Sequence, residues 1–254
     1  MVVTQLLDVI YIVCYNSSAI SRFNATTHEQ LEVITVKDLR SPCDIVACEI
    51  TSQLYVADFR DCVWRVSPDG ADIKRWLPKS PTDTFEIRSM SVRSGRLLLM
   101  LDGANEVMQF DADGKELRRV QLPDKMEPLH AVESPTGTFI VKHCTRQLNQ
   151  CKVSEVDTGG RVLRQFTVST MEPIGYFGHH VAVDSHGNVF VFDTMNYRVL
   201  VLDDRLSLRR VIIDEHQLNY EWPQQLCYVE QSGQLLVVCK QSVIVFDVLC
   251  CYCR

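Results

Sequence analysis

The sequence lacks a long apolar run. No stretch reaches the roughly 18 uncharged residues that a membrane-spanning helix needs, so a spanning protein is not expected. The sequence also lacks an excess of basic residues, since 26 Lys and Arg stand against 32 Asp and Glu and the formal net charge is -6. This acidic balance argues against nucleic acid as the main partner.

Two familiar motifs of enzyme active sites are also absent from the sequence. There is no Gly-x-Ser-x-Gly elbow to present a nucleophilic serine, and no Gly-x-x-x-x-Gly-Lys loop to hold a phosphate. No arrangement of side chains suggests an activated nucleophile. We therefore predict a chain that is not an enzyme and needs no cofactor.

Cysteine is plentiful, but its pattern is not that of a disulfide framework. The 11 cysteines are odd in number and irregularly spaced. Several fall inside predicted strands, where a thiol packs as a small apolar group: Cys14, Cys48, Cys227 and Cys239. We expect mostly reduced cysteines and a cytoplasmic protein. The tail cluster of Cys250, Cys251 and Cys253 has no second pair of ligands and is a weak zinc motif.

Apolar residues recur in a unit of about 45 residues. The clearest copy spans 180–203 and contains a strand, a tight turn at His186-Gly187-Asn188, a second strand, a polar loop and a third strand. Residues 208–213 supply a fourth strand. Equivalent core residues of the six second strands are Val9, Leu54, Leu97, Phe139, Val189 and Leu235.

Six such units predict an all-β fold, a six-bladed β-propeller of four-stranded antiparallel blades. A blade cannot bury both faces alone, so blades must pack on one another. We expect one domain over 1–254, with blades at roughly 1–40, 41–81, 82–126, 127–171, 172–218 and 219–254. The length gives only about 5.6 periods, so we expect an incomplete outer strand in the last blade, or a fragment of a longer chain.

Residues 182–199 have the sequence Ala-Val-Asp-Ser-x-Gly-Asn-Val-Phe-Val-x-Asp-Thr-x-Asn-x-Arg-Val, which resembles the NHL repeat. The segments 43–78 and 88–122 match it moderately, with Asp58 and Asp102 in the place of Asp193. The resemblance implies a propeller like those at the C-terminus of TRIM-type ubiquitin ligases, where it binds protein or RNA. The sequence contains no RING, B-box or coiled-coil segment, so ligase activity is not implied.

Acidic residues recur at the ends of the predicted strands. First strands end in Glu49, Glu133, Asp184 and Glu230, and second strands end in Asp58, Asp102 and Asp193. Because the same position is acidic in several blades, we interpret these carboxylates as structural groups that accept backbone N–H groups of adjacent turns. A catalytic group would be specific to one blade.

Histidines are the main blade-specific feature. His130, His179 and His180 begin predicted first strands near the expected channel, and His143 is placed in the following loop. Some NHL-related propellers, the peptidyl amidating lyases among them, bind metal through histidines of separate blades, which leaves a metal-dependent lyase or hydrolase as an alternative. Catalytic zinc needs three ligands and an open position, and no third ligand is evident, so we predict no metal site.

One loop face of the predicted propeller is rich in the Arg, His and aromatic residues that dominate interaction hot spots. The predicted partner-binding residues are Arg40, Asp44, Phe59, Arg60, Arg146, Tyr176, His179, His180 and Trp222. Acidic residues alternate with the arginines, so we favour a protein or peptide partner, with single-stranded RNA as the alternative. We expect a monomer with no membrane partner.

Overall fold

A computed structural model of the chain describes residues 1–59, 61–78, 86–145, 150–169, 179–219, 221–240 and 242–248. These residues form 23 β-strands and one short 3-10 helix at Thr194–Asn196. The strands make six antiparallel sheets, which are the blades of a six-bladed β-propeller. The predicted fold class is confirmed. Within these ranges, no helix has the length and apolar character needed to cross a bilayer.

The first three blades contain strands β1 to β12. The first has β1 (Val2–Leu6), β2 (Val9–Val13), β3 (Ala19–Asn24) and β4 (Ile34–Thr35). The second has β5 (Pro42–Cys48), β6 (Gln53–Asp58), β7 (Cys62–Val66) and β8 (Ile73–Pro78). The third has β9 (Ile87–Arg93), β10 (Arg96–Leu101), β11 (Glu106–Phe110) and β12 (Glu116–Gln121).

The last three blades contain strands β13 to β23. The fourth has β13 (Glu127–Glu133), β14 (Phe139–Thr145), β15 (Gln150–Val156) and β16 (Val162–Ser169). The fifth has β17 (Val181–Val183), β18 (Val189–Asp193), β19 (Arg198–Leu202) and β20 (Leu208–Ile213). The sixth has β21 (Gln225–Val229), β22 (Gln234–Val238) and β23 (Val243–Asp247). Within the described residues this blade has three strands, which agrees with the expected incomplete last blade.

The chain divides into two compact units, which are described separately. The first unit contains Met1–Asp102 and Met108–Arg119, and the second contains Gly103–Val107 and Val120–Arg254. The boundary passes through β11 and β12. In every blade each strand pairs with the next one along the chain, so local hairpins build the sheets. The expectation of a single domain stays a prediction.

In the first unit, aromatic side chains pack between the second and third blades. The ring of Trp76 makes edge contacts with Tyr55 and Phe110, at centroid distances of 5.0 and 5.9 Å. Its indole N–H donates to the carbonyl oxygen of Ala112 at 2.7 Å. The buried ring therefore contributes apolar contact area while its polar group keeps a hydrogen bond.

In the second unit, β18 is buried at every position. Val189 and Val191 face a cluster that includes Ile140 and Val153 of the fourth blade. Phe190 and Phe192 face the other way, into a cluster with residues of the sixth blade. A central strand covered on both faces is apolar without alternation, which explains the unbroken Val-Phe-Val-Phe sequence.

A repeated turn joins third strands to fourth strands. Asp157 accepts the backbone N–H groups of Gly159 and Arg161, both at 2.9 Å. Asp203 accepts those of Arg205 and Ser207, at 2.9 and 2.8 Å. These donors hold the pKa of both carboxyl groups below its usual range. Asp-led turns of this kind fix the hairpin geometry locally.

The same turn geometry occurs at Asp184, between β17 and β18. Its carboxylate accepts the backbone N–H groups of His186 and Asn188, at 2.9 and 2.8 Å, and the side-chain amide of Asn188 at 2.7 Å. Gly187 has φ +85°, a left-handed conformation that glycine adopts without strain. The structural interpretation of Asp184 agrees with these contacts.

Other strand-end carboxylates accept hydrogen bonds from different kinds of donor. Asp58 accepts backbone N–H groups of the segment that leads into β5, and Asp193 accepts from the side chains of Asn196 and Arg198. Glu230 accepts the backbone N–H of Ser185, in the turn of the neighbouring blade, at 3.2 Å. The repeated acidic position therefore supports several local arrangements.

We expect Asp184→Ala to lower the free energy of unfolding by about 3 kcal/mol, because buried donors lose their acceptor. Asp203→Ala removes the same pair of turn bonds at a less buried site, where water replaces the carboxylate, and should cost about 1 kcal/mol. Urea denaturation of the two variants measures the difference. Equal decreases in the free energy of unfolding of Asp184→Ala and Asp203→Ala would contradict a larger contribution from the buried turn.

Candidate functional site

The predicted partner-binding residues are distributed over both units. Arg40, Asp44 and Phe59 lie in the first unit, and His179, His180 and Trp222 lie in the second. Three others fall outside the described residues: Arg60, Arg146 and Tyr176. Their role in binding a partner stays a prediction.

Asp44 is completely buried in the first unit. Its carboxylate accepts the backbone N–H groups of Ile45 and Met90, at 2.8 and 2.7 Å. Burial raises its pKa to about 7, although the two donors oppose this. The side chain thus links β5 to β9. The sequence placed Asp44 in a surface loop and did not indicate this contact.

Arg40 and Phe59 lie close together in the first unit. The backbone N–H of Arg40 donates to Asp58 at 2.9 Å, and that of Phe59 donates to the carbonyl oxygen of Ser41 at 2.9 Å. The Arg40 side chain is exposed and the Phe59 side chain is half-buried. The strand-end carboxylate of Asp58 therefore positions Arg40, and the carbonyl oxygen of Ser41 positions Phe59.

In the second unit, three histidines and a lysine meet at the start of β17. We call His130, His179, His180 and Lys142 the histidine cluster. The rings of His130 and His180 lie 4.3 Å apart between centroids. The backbone N–H of Val181 donates to Nδ1 of His130 at 3.3 Å, so a neutral His130 carries its proton on Nε2.

The cluster keeps His180 in its neutral form. Burial lowers the pKa of His180 well below its usual range, and positive charge at His130, His179 and Lys142 lowers it further. Lys142 is completely buried, and its ammonium donates to the carbonyl oxygen of Phe192 at 3.1 Å. As a residue His180 is partly exposed, while its imidazole is buried beside Lys142.

This arrangement can perform acid–base chemistry. The imidazole of His180 is unprotonated at neutral pH and can take a proton in a reaction, with a basicity that burial reduces, and the positive surroundings favour negative charge that develops on a bound molecule. The sequence pointed to the histidines but not to the burial of Lys142. One feature of the sequence could have indicated this burial: Lys142 directly follows Phe139-Ile140-Val141, an apolar run typical of a buried strand.

His143 lies inside β14 and not in the loop where the sequence placed it. Its side chain is buried, and Nε2 shares a hydrogen bond with Oγ of Ser154 at 2.8 Å. Burial, with a smaller contribution from the charge of Lys152, lowers its pKa to about 4. β14 extends further than expected because every residue from Phe139 to Thr145 pairs with β15.

A second feature of this unit is an exposed aromatic pair, Tyr197 and Trp222. Trp222 is 41% exposed, and its indole N–H donates to the hydroxyl oxygen of Tyr197. The two ring centroids are 6.2 Å apart. Tyr197 follows the 3-10 helix with φ +48°, which turns the chain into β19. Large rings held at the surface in this way are typical of binding sites.

No family model matches the chain, and no curated protein matches its sequence. The NHL resemblance therefore stays a prediction. Solved structures share the fold. A catalytically inactive histidine-to-alanine variant of virginiamycin B lyase from Staphylococcus aureus, with quinupristin, aligns at TM-score 0.66 and 11% identity over 96% of this chain and 78% of that one.

Two further structures align comparably well. Hydrazine synthase of Kuenenia stuttgartiensis gives a TM-score of 0.65 at 15% identity, over 97% of this chain and 82% of that one. A streptogramin B lyase gives 0.62 at 10% identity, over 96% and 81%. At these identities the likeness shows the fold. These three solved structures are of enzymes, and that finding overturns the prediction that the chain is not an enzyme.

The buried His143 predicts a pH-dependent stability. Its pKa is lower in the folded chain than in the unfolded one, so the unfolded state takes up the proton first as the pH falls. We expect the free energy of unfolding to decrease by up to about 3 kcal/mol between pH 6.5 and pH 4 through this group. Urea denaturation at several pH values measures this dependence. The free energy of unfolding should fall less steeply with falling pH in His143→Gln. It should fall as in the wild-type chain in His186→Gln, whose side chain is exposed.

Proposed function

We propose that the chain is a propeller enzyme of the lyase or hydrolase class that cleaves a small molecule by proton transfer at the histidine cluster. One observation carries the proposal. The imidazole of His180 is held neutral by burial and is in ring contact with the buried His130, in a residue that is itself partly exposed. Such a group is available as a base throughout the neutral pH range.

Each member of the cluster has a role in this chemistry. His180 removes a proton from the bound molecule, and its conjugate acid returns the proton to the leaving group. His130 is oriented by the backbone N–H of Val181, which donates to its Nδ1. The ammonium of Lys142 adds positive charge that stabilises an anionic transition state.

The solved structures support an enzyme at the level of the fold. One is a virginiamycin B lyase made catalytically inactive by the loss of a single histidine, so a propeller of this shape can depend on one imidazole. The metal-dependent alternative stays a prediction.

Quinupristin, the compound in the lyase structure, is the first probe for activity. We expect wild-type protein to convert it, and His180→Ala to reduce the rate by about 10²- to 10⁴-fold through loss of the base. Liquid chromatography with mass spectrometry follows the reaction. Elimination within a ring leaves the mass unchanged, whereas hydrolysis adds one water, so the product distinguishes a lyase from a hydrolase.

His186→Ala is the matched control, because His186 lies in the exposed turn of the same blade. It should retain the wild-type rate. A second arm uses a set of simple esters as probes. Full turnover by His180→Ala, or a wild-type protein inert toward every probe, would count against the proposal.

A second candidate function is recognition of a protein or peptide partner by the aromatic pair. The observation in its favour is that Trp222 remains exposed although its ring donates a hydrogen bond to Tyr197. A fixed aromatic ring loses little conformational entropy on binding. The acidic composition supports a protein partner over RNA.

We expect Trp222→Ala to reduce capture of a partner by about tenfold or more, as loss of a hot-spot aromatic does. Leu208→Ala is the control, because Leu208 is an apolar side chain of similar exposure on the same unit. Pull-down with quantitative mass spectrometry makes the comparison. Binding of random RNA that weakens steeply with salt would favour the RNA alternative instead.

A further inference from the structure

We infer that Cys144 and Cys151 form a redox-active dithiol, a site of reversible disulfide formation with a small-molecule disulfide as oxidant. The two residues face each other across β14 and β15 of the fourth blade. This inference is independent of the proposed function, because it concerns a different pair of side chains and requires no substrate.

The strand register places the two cysteines directly opposite each other. The pairing runs from Phe139 with Val156 to Thr145 with Gln150, and Cys144 pairs with Cys151 near its end. Opposed residues in an antiparallel pair have Cα atoms about 4.5 to 5.5 Å apart, within the range of about 4.4 to 6.8 Å that a disulfide spans. The backbone therefore needs no rearrangement.

The two thiols are already in contact. Their sulfur atoms lie 2.9 Å apart in the reduced chain. A disulfide bond measures about 2.0 Å, so a small rotation of the side chains closes the remaining gap. Cys144 is half-buried and within reach of a small reagent, whereas Cys151 is completely buried beside it. One sulfur can meet the oxidant and the other can complete the bond.

Three other cysteines have environments that disfavour the thiolate. Burial raises the pKa of the Cys43 thiol well above its usual range, that of Cys62 to about 12 and that of Cys239 to about 11. These groups remain protonated at neutral pH and are poor nucleophiles. They are internal controls for a selective reaction.

The reaction balances with glutathione disulfide as the oxidant. The Cys144 thiolate attacks one sulfur of the reagent, which releases one glutathione thiolate and leaves a mixed disulfide on Cys144. The Cys151 sulfur then attacks Sγ of Cys144 and releases the second glutathione. The protein loses two thiol protons and two electrons, and one glutathione disulfide becomes two glutathione molecules.

The test uses the wild-type chain equilibrated with glutathione disulfide, blocked with an alkylating reagent and digested with trypsin without reduction. Cleavage after Lys142, Arg146 and Lys152 separates the cysteines into the peptides 143–146 and 147–152. We expect mass spectrometry to find these two peptides joined by a disulfide. Oxidation should also raise Tm by roughly 5 °C, since the bond restricts the unfolded chain.

Cys144→Ser should abolish both the joined peptides and the rise in Tm, and Cys14→Ser, which removes an exposed thiol in the first unit, should change neither. Dithiothreitol should reverse both effects in the wild-type chain. Recovery of both peptides as separate alkylated species, a glutathione adduct that stops on Cys144, or a joint between either cysteine and another thiol would each overturn the inference.

Discussion

Coverage of both faces of each blade is the constraint on which the rest of this structure depends. β18 shows it most clearly, because its odd and even residues enter two different apolar clusters, one with the fourth blade and one with the sixth. A strand buried on both faces must be apolar throughout, and a sheet made of such strands is stable only between neighbours. Polar side chains inside the strands, such as Lys142 and His143 of β14, therefore need buried hydrogen-bond partners.

The candidate site follows from that requirement. Lys142 enters the interior of the second unit, but its ammonium reaches a backbone carbonyl, and His130 accepts a backbone N–H. Buried polar groups of this kind are tolerated only with partners. The same low-dielectric surroundings that demand partners also hold His180 neutral, so its proposed chemistry results from the packing of the blade.

Several elements were predictable from local sequence. The turn led by Asp184 and the spacing of apolar strands reflect interactions between residues a few positions apart, and they appeared in the structure as expected. Placement of His143 in a loop was wrong, because its pairing with Lys152 extends β14 beyond the apolar run. The contact of Cys144 with Cys151 was also missed, since register depends on a partner strand and not on a cysteine count.

By itself, the sequence determined the period, the strand pattern and thus the six-bladed architecture, because alternation and turn residues act locally and repeat six times. It also singled out the blade-specific histidines. Only the tertiary structure decided which groups are buried and what they face. Asp44 accepts two backbone N–H groups, Lys142 lies beside the histidines, and Trp222 lies at the surface with a hydrogen bond to Tyr197. Burial and charge depend on strands distant in sequence, and these two quantities set the chemistry of the site.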